Sequence, residues 1–118
     1  MEGGKWGLVG GFMERDETAK QAVKREVFEE TGYRVSNIGL LTIRDNPDRP
    51  REDRQNVAFV FFCEAGGKDG KADRESTAQK WFSFDDLPKE EEIAFDHYQN
   101  IRLYLKYKKE YLKIPVFQ

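Results

Sequence analysis

The clearest periodic stretch in the chain runs from Thr18 to Thr31, where Ala19, Ala22, Val23 and Val27 fall near one helical face together with Glu26 and Glu30. Thr18-Ala19-Lys20-Gln21 has the form of a capping box, and Gly32 is a natural C-terminal breaker, so the pattern predicts a helix between them. Tyr33 to Arg44 and Asn56 to Glu64 are rich in β-branched and aromatic residues and predict strands. A short extended segment, Lys5 to Val9, ends in Gly10-Gly11, and a further strand is predicted at Gln79 to Phe84 before the Asp85-Asp86-Leu87-Pro88 stop. Between the two central strands, Asp45 to Arg54 is too polar and too punctuated by Pro47 and Pro50 to be core, and Gly66 to Gly70 predicts a turn. Ile101, Leu105 and Leu112 recur at helical intervals and predict a second helix from about Glu91 to Leu112. Mixed strands and helices indicate a layered α/β or α+β domain, with no internal repeat or linker.

Size and charge narrow this picture. At 118 residues, 38% of them hydrophobic and nine of them Phe, the chain is expected to form one domain over residues 1–118. Lys and Arg number 20 against 22 Asp and Glu, giving a net charge of -2, so no general basic field holds nucleic acid and no nucleic-acid partner is expected. The one cysteine, Cys63, lies in the apolar run Val57 to Cys63 and has no partner for an internal disulfide, which fits a reducing, cytoplasmic setting. No apolar run approaches the roughly 18 residues that span a bilayer, so a soluble protein without a membrane partner is expected.

The chemistry concentrates in the first helix. Glu26, Glu29 and Glu30 stand at i, i+3 and i+4, so their side chains share one face with Cβ atoms about 5–6 Å apart. Taken alone, they are either ordinary solvated charges softened by Lys24 and Arg25, or a set of hard oxygen ligands suited to Mg²⁺ or Mn²⁺.

The stretch GFMERDETAKQAVKREVFEETGY, Gly11 to Tyr33, resembles the signature of the Nudix hydrolases. Gly11, Glu17, Arg25, Glu26, Val27, Glu29, Glu30, Gly32 and Tyr33 occupy its defined positions, Tyr33 being the least standard of them. Trp6 to Gly11 also looks like the family's usual lead-in, with Val9 where a proline is common. The resemblance implies a loop-helix-loop that holds divalent cations against a diphosphate. It implies that Glu26, Glu29 and Glu30 are metal ligands beside a backbone carbonyl of Gly10 or Gly11. Arg25, and with it Glu17, is implied to orient the glutamates, the alternative being plain scaffolding. The family takes its general base from no fixed position: Glu29 is one candidate and Glu75, on a later loop, is the other. His97, the sole histidine, is assigned no chemistry.

Outside the signature, Asp45 to Arg51 and Leu87 to Ile101 look like segments of ADP-ribose pyrophosphatases and their close relatives. Arg49 or Arg51 could grip a phosphate in bidentate fashion, and Phe12 or Phe82 could stack on a base; the two arginines could equally be solubilising loop charges. The resemblance thus implies a Nudix fold, a mixed sheet sandwiched between helices, that cleaves the diphosphate of a nucleoside diphosphate derivative, foremost ADP-ribose or a nucleotide sugar. A nucleoside triphosphate pyrophosphatase is the alternative enzyme, and a non-catalytic nucleotide sensor the alternative from another class. Only Met1 to Lys5 precede the lead-in, where family members normally carry a strand or two. A shortened member, a fragment, or a sheet completed by a partner subunit would each explain this, and an exposed sheet edge favours a homodimer.

Overall fold

The computed structural model describes residues 6–46, 57–68 and 79–118. Helix α1 spans Ala19–Thr31, strand β1 Tyr33–Arg44, strand β2 Ala58–Lys68, helix α2 His97–Glu110 and strand β3 Val116–Phe117; a single 3-10 turn, Glu90–Glu92, precedes α2. The sheet has the order β2-β1-β3. The β1–β3 pair is parallel, with Thr42 opposite Val116 and Ile43 opposite Phe117. Along β1 and β2 the neighbours run in opposite senses: Asn37 Nδ2 donates to Glu64 at 2.7 Å, and Gly39 lies under the Phe62 ring. The sheet is therefore mixed, and the chain has an α+β architecture.

The backbone forms two compact units. One comprises Leu8–Ile38 with Cys63–Leu87; the other comprises Gly39–Phe62 with Pro88–Gln118 and the segment ending at Gly7. In the first unit, α1 starts as the residues dictate. The Thr18 hydroxyl accepts from the Gln21 amide at 3.1 Å, and the Gln21 side chain accepts from the Thr18 amide at 2.8 Å. At the other end Gly32 takes the left-handed conformation, φ 80°, that an L side chain resists, and its amide donates to the Phe28 carbonyl. That turn sends the chain straight into β1.

The second unit holds most of the buried apolar residues among those described: Leu41, Ile93, Ala94 and Leu103. The Phe62 ring sits 5.4 Å from Tyr104 and 5.3 Å from Tyr107, packing α2 against the sheet. Inside this unit lies a polar cluster: Arg44 donates to the side chain of Asn100 and stands 3.9 Å from the Asp96 carboxylate, all three residues being buried. Removing one member of a buried pair strands the other charge. Asp96→Ala is thus expected to lower the unfolding free energy by about 3 kcal/mol, near the low end for a broken buried pair because the separation is long. Urea denaturation reads the loss; a midpoint within error of wild type would mean that Arg44 is satisfied without Asp96.

Four sequence expectations need correction. Of the extended segment expected from Lys5 to Val9, the described part, residues 6–9, forms no strand: Trp6 makes one isolated bridge to Ile93, and Leu8 and Val9 are exposed. Strand β2 continues through Gly66 to Lys68, where a turn was expected from Gly66, because Gly66 still packs against the Arg34 carbonyl of β1. Gln79 to Phe84 are not a strand: residues 79–83 are irregular and are held by side chains, with a turn closed by the Asp86 amide on the Ser83 carbonyl. The second helix begins at His97, six residues later than expected. Trp6 takes up the Glu92 carbonyl and the Ala94 amide, which keeps Ile93 extended, and Phe95 adopts φ 51°. Strand β3 had no counterpart in the sequence reading. Among the described residues, no helix is long and apolar enough to cross a membrane.

Candidate active site

The candidate site begins as a problem of charge: helix α1 carries Glu26, Glu29 and Glu30, and the loop before it carries Glu14 and Glu17. Arg25 answers it within the first unit. Its guanidinium grips Glu17 with two hydrogen bonds, Nη2 at 2.8 Å and Nε at 3.1 Å. The other terminal nitrogen, Nη1, donates to Glu26 at 2.8 Å and to Glu29 at 3.2 Å, and stands 3.6 Å from Glu14. Nη2 also donates to the Phe12 carbonyl at 2.9 Å, which ties the loop to the helix. A planar fork with five donors can serve all these acceptors at once; a lysine could not.

Glu17 is further fixed by the Glu14 amide at 2.8 Å. The bonds from Arg25, then the Glu14 amide, hold its carboxyl below the ordinary value of 4.5, and the same contact with Glu17 pushes the Arg25 guanidinium still further from deprotonation. A carboxyl depressed in the folded state adds stability above its unfolded value and loses it as pH falls through the folded one. Wild type is accordingly expected to lose melting temperature below about pH 4.5 more steeply than Glu17→Gln, in a pH series of thermal melts. Parallel slopes would mean that Arg25 does not hold Glu17 as drawn.

Glu26 is the most buried of the acids on α1, at 6% exposure, and its carboxylate lies against the backbone of Gly11. A Cβ at Gly11 would overlap that carboxylate, so only glycine permits the approach, whereas a Cβ at Gly10 would meet open space. Glu29 and Glu30 are half-buried. The backbone carbonyl of Glu30 accepts from the Gln79 side chain, and past Gly32 the Tyr33 hydroxyl accepts from Trp81 Nε1 at 3.2 Å, the two rings meeting edge to face.

The donors brought together in this corner, the Glu26 and Glu29 carboxylates and the adjacent Gly11 backbone, have the chemistry of a hard divalent-cation site. Arg25 supplies the countercharge between Glu26 and Glu29 in this structure. Among the described residues no three His, Cys, Asp or Glu side chains already converge as a ligand set.

The other sequence candidates fall as follows. Phe12 is 80% exposed on the loop that Arg25 anchors, so its ring is open to a ligand. Phe82 is half-buried with the Lys80 ammonium 5.2 Å from its ring centre, which occupies one face. Glu75, Arg49 and Arg51 lie outside the described residues. Sequence reasoning missed Gln79, Trp81 and the Tyr33 hydroxyl as neighbours of the α1 C-terminus. Contacts 48 and 49 residues apart leave no local periodic signal.

The chain matches the NUDIX domain family over residues 1–104. It is 35% identical over 105 residues to the ADP-ribose pyrophosphatase of Methanocaldococcus jannaschii, covering 89% of this chain and 60% of that protein. It is 40% identical over 86 residues to a MutT-like protein of Streptomyces ambofaciens, covering 73% of this chain and 53% of the relative. It is also 35% identical over 82 residues to the NAD-capped RNA hydrolase NudC of Escherichia coli strain K12 / DH10B, covering 69% of this chain and 30% of that enzyme. The chain spans 60% of the length of the first of these curated relatives and less of the others.

Proposed function

Because the chain belongs to the Nudix hydrolase family, we propose that it is a pyrophosphohydrolase that cleaves the diphosphate linkage of a nucleoside diphosphate derivative, with ADP-ribose or a nucleotide sugar as the leading substrate class. One observation carries the reading: the Glu26 carboxylate is pressed against the Gly11 backbone and linked through Arg25 Nη1 to Glu29. Such a gathering of carboxylates is what metal-assisted diphosphate hydrolysis requires. The likeness to an ADP-ribose pyrophosphatase favours the same substrate class.

Glu26, Glu29 and Glu30, with a carbonyl of Gly10 or Gly11, would hold Mg²⁺ or Mn²⁺, in keeping with the general use of divalent metals in the family. A cation held there would supply charge neutralisation of the diphosphate and a lowered pKa for the attacking water. The protein's own part is positional. Arg25 holds Glu17, Glu26 and Glu29 in one frame and pins the Phe12 carbonyl, so that the loop and helix present a fixed edge to the diphosphate. Glu29 takes the proton from water on its carboxylate, Glu75 being the alternative base. Arg49 and Arg51 grip phosphate, and Phe12 offers its open ring to the base.

A substrate panel of ADP-ribose, nucleotide sugars, NAD and nucleoside triphosphates, with Mg²⁺ or Mn²⁺ and with chelator, tests the proposal. ADP-ribose turnover that stops with chelator is the expected result. Turnover of triphosphates alone would move the substrate class, and no turnover of any compound with either metal would overturn the hydrolase reading.

A further inference from the structure

A shallow, largely open depression of about 640 Å³ lies in the second unit, along α2 and the end of the chain, within the roughly 300–1,000 Å³ range of small-molecule sites. Its charge is unlike that of the protein. Arg102, Lys106 and Lys109 line it against the single carboxylate of Glu110, in a chain whose net charge is -2. Arg44 also reaches it but is already engaged with Asp96 and Asn100.

The three cations occur at i, i+4 and i+7 of one helix face, spread over about 10 Å of axis. No ion pair with a described residue engages them. Lys108 and Lys109 in the last turn are explained by the helix dipole, but Arg102 in the middle of the helix is not, and like charges at i, i+4 oppose each other. Among the described residues, then, neither an ion pair nor the helix dipole accounts for Arg102 and Lys106. Beside it the surface offers the Tyr98 ring and the amides of Gln99 and Gln118, partners suited to a base and a sugar rather than to a bare ion.

We propose that this surface is a second binding site, separate from the carboxylate cluster on α1, for a nucleotide carrying a diphosphate. Three cations are too few to hold nucleic acid by counterion release on an acidic protein. Their spread exceeds what one small inorganic ion can touch, and the concavity suits one nucleotide.

Two-dimensional NMR of the full chain, titrated with ADP in chelator so that no divalent cation contributes, tests the site. The expected result is fast-exchange shifts of the Tyr98, Arg102, Lys106 and Gln118 amides, with ADP affinity falling at least tenfold in the Arg102→Gln/Lys106→Gln/Lys109→Gln variant and on raising salt. Exposed positions should tolerate these changes, and Lys106→Gln alone provides a second, milder variant with an intermediate loss. The proposal is overturned if ADP shifts only residues 8–31, or if the triple variant binds ADP as wild type does. Tighter binding of a single-stranded oligonucleotide than of ADP through the same three cations would also overturn it, making the surface a nucleic-acid face.

Discussion

Glu29→Gln is expected to lower kcat by about 10²- to 10⁴-fold, the range a positioned general base contributes, with the fold intact. The substitution keeps the size of the side chain and removes only its charge and basicity. The Glu29 side chain is 29% exposed and its contact to Arg25 Nη1 is the longest of that nitrogen's hydrogen bonds, so little packing depends on the charge. The apo protein should change little in stability, because relief of the Glu26–Glu29 repulsion, a few tenths of a kcal/mol, is offset by weakening the i, i+4 pair with Arg25. Steady-state kinetics beside thermal melts separate the two effects. Near-wild-type kcat would transfer the base role to Glu75.

Gly11→Ala is expected to lower turnover by about 10- to 100-fold, the scale on which disturbed outer contacts weaken a metal site. The new methyl group would overlap the Glu26 carboxylate, which is buried and held by Arg25 at 2.8 Å. Because the overlapped atoms are the end of a flexible side chain, the carboxylate can rotate away. The stability cost should therefore stay at or below the about 1–3 kcal/mol of an overpacked core site. Gly10→Ala meets nothing within 4 Å and keeps the backbone carbonyl, so it should behave as wild type and serves as the control. Equal activity in the two variants would mean that the close approach of Gly11 to Glu26 has no part in catalysis.

These expectations rest on features of unequal visibility in the sequence. Helix α1 was legible to the residue because its signals are local: a capping box at Thr18 and Gln21, apolar spacing, and a glycine able to take φ 80°. Strand β1 was equally legible from its β-branched and aromatic content. The delayed start of α2 was not, because it depends on Trp6 capturing backbone groups of Glu92 and Ala94 across the chain. Strand β3, two residues long, exists only through its pairing with Thr42 and Ile43. The segment Gln79 to Phe84 has strand-like composition, but Gln79 and Trp81 are spent on side-chain contacts at the end of α1.

The candidate site divides along the same line. Residue types and spacing placed the three glutamates on one helix face, because a helix fixes that relation locally, while the family resemblance pointed to Gly10 or Gly11 beside them without choosing between the two. The bidentate grip of Arg25 on Glu17, its bond to the Phe12 carbonyl and the close approach of Gly11 to Glu26 are distances of packing. No periodicity encodes them.

The carboxylate face of α1 as the seat of a catalytic metal is tested most directly by Mn²⁺ binding, read from the electron paramagnetic resonance signal of the free ion, in wild type, Glu26→Gln, Glu29→Gln and Glu30→Gln. Each variant that folds as wild type by circular dichroism should bind Mn²⁺ at least tenfold more weakly and lose ADP-ribose turnover in parallel. Unchanged Mn²⁺ affinity across all three variants would contradict the assignment and place the metal elsewhere in the chain.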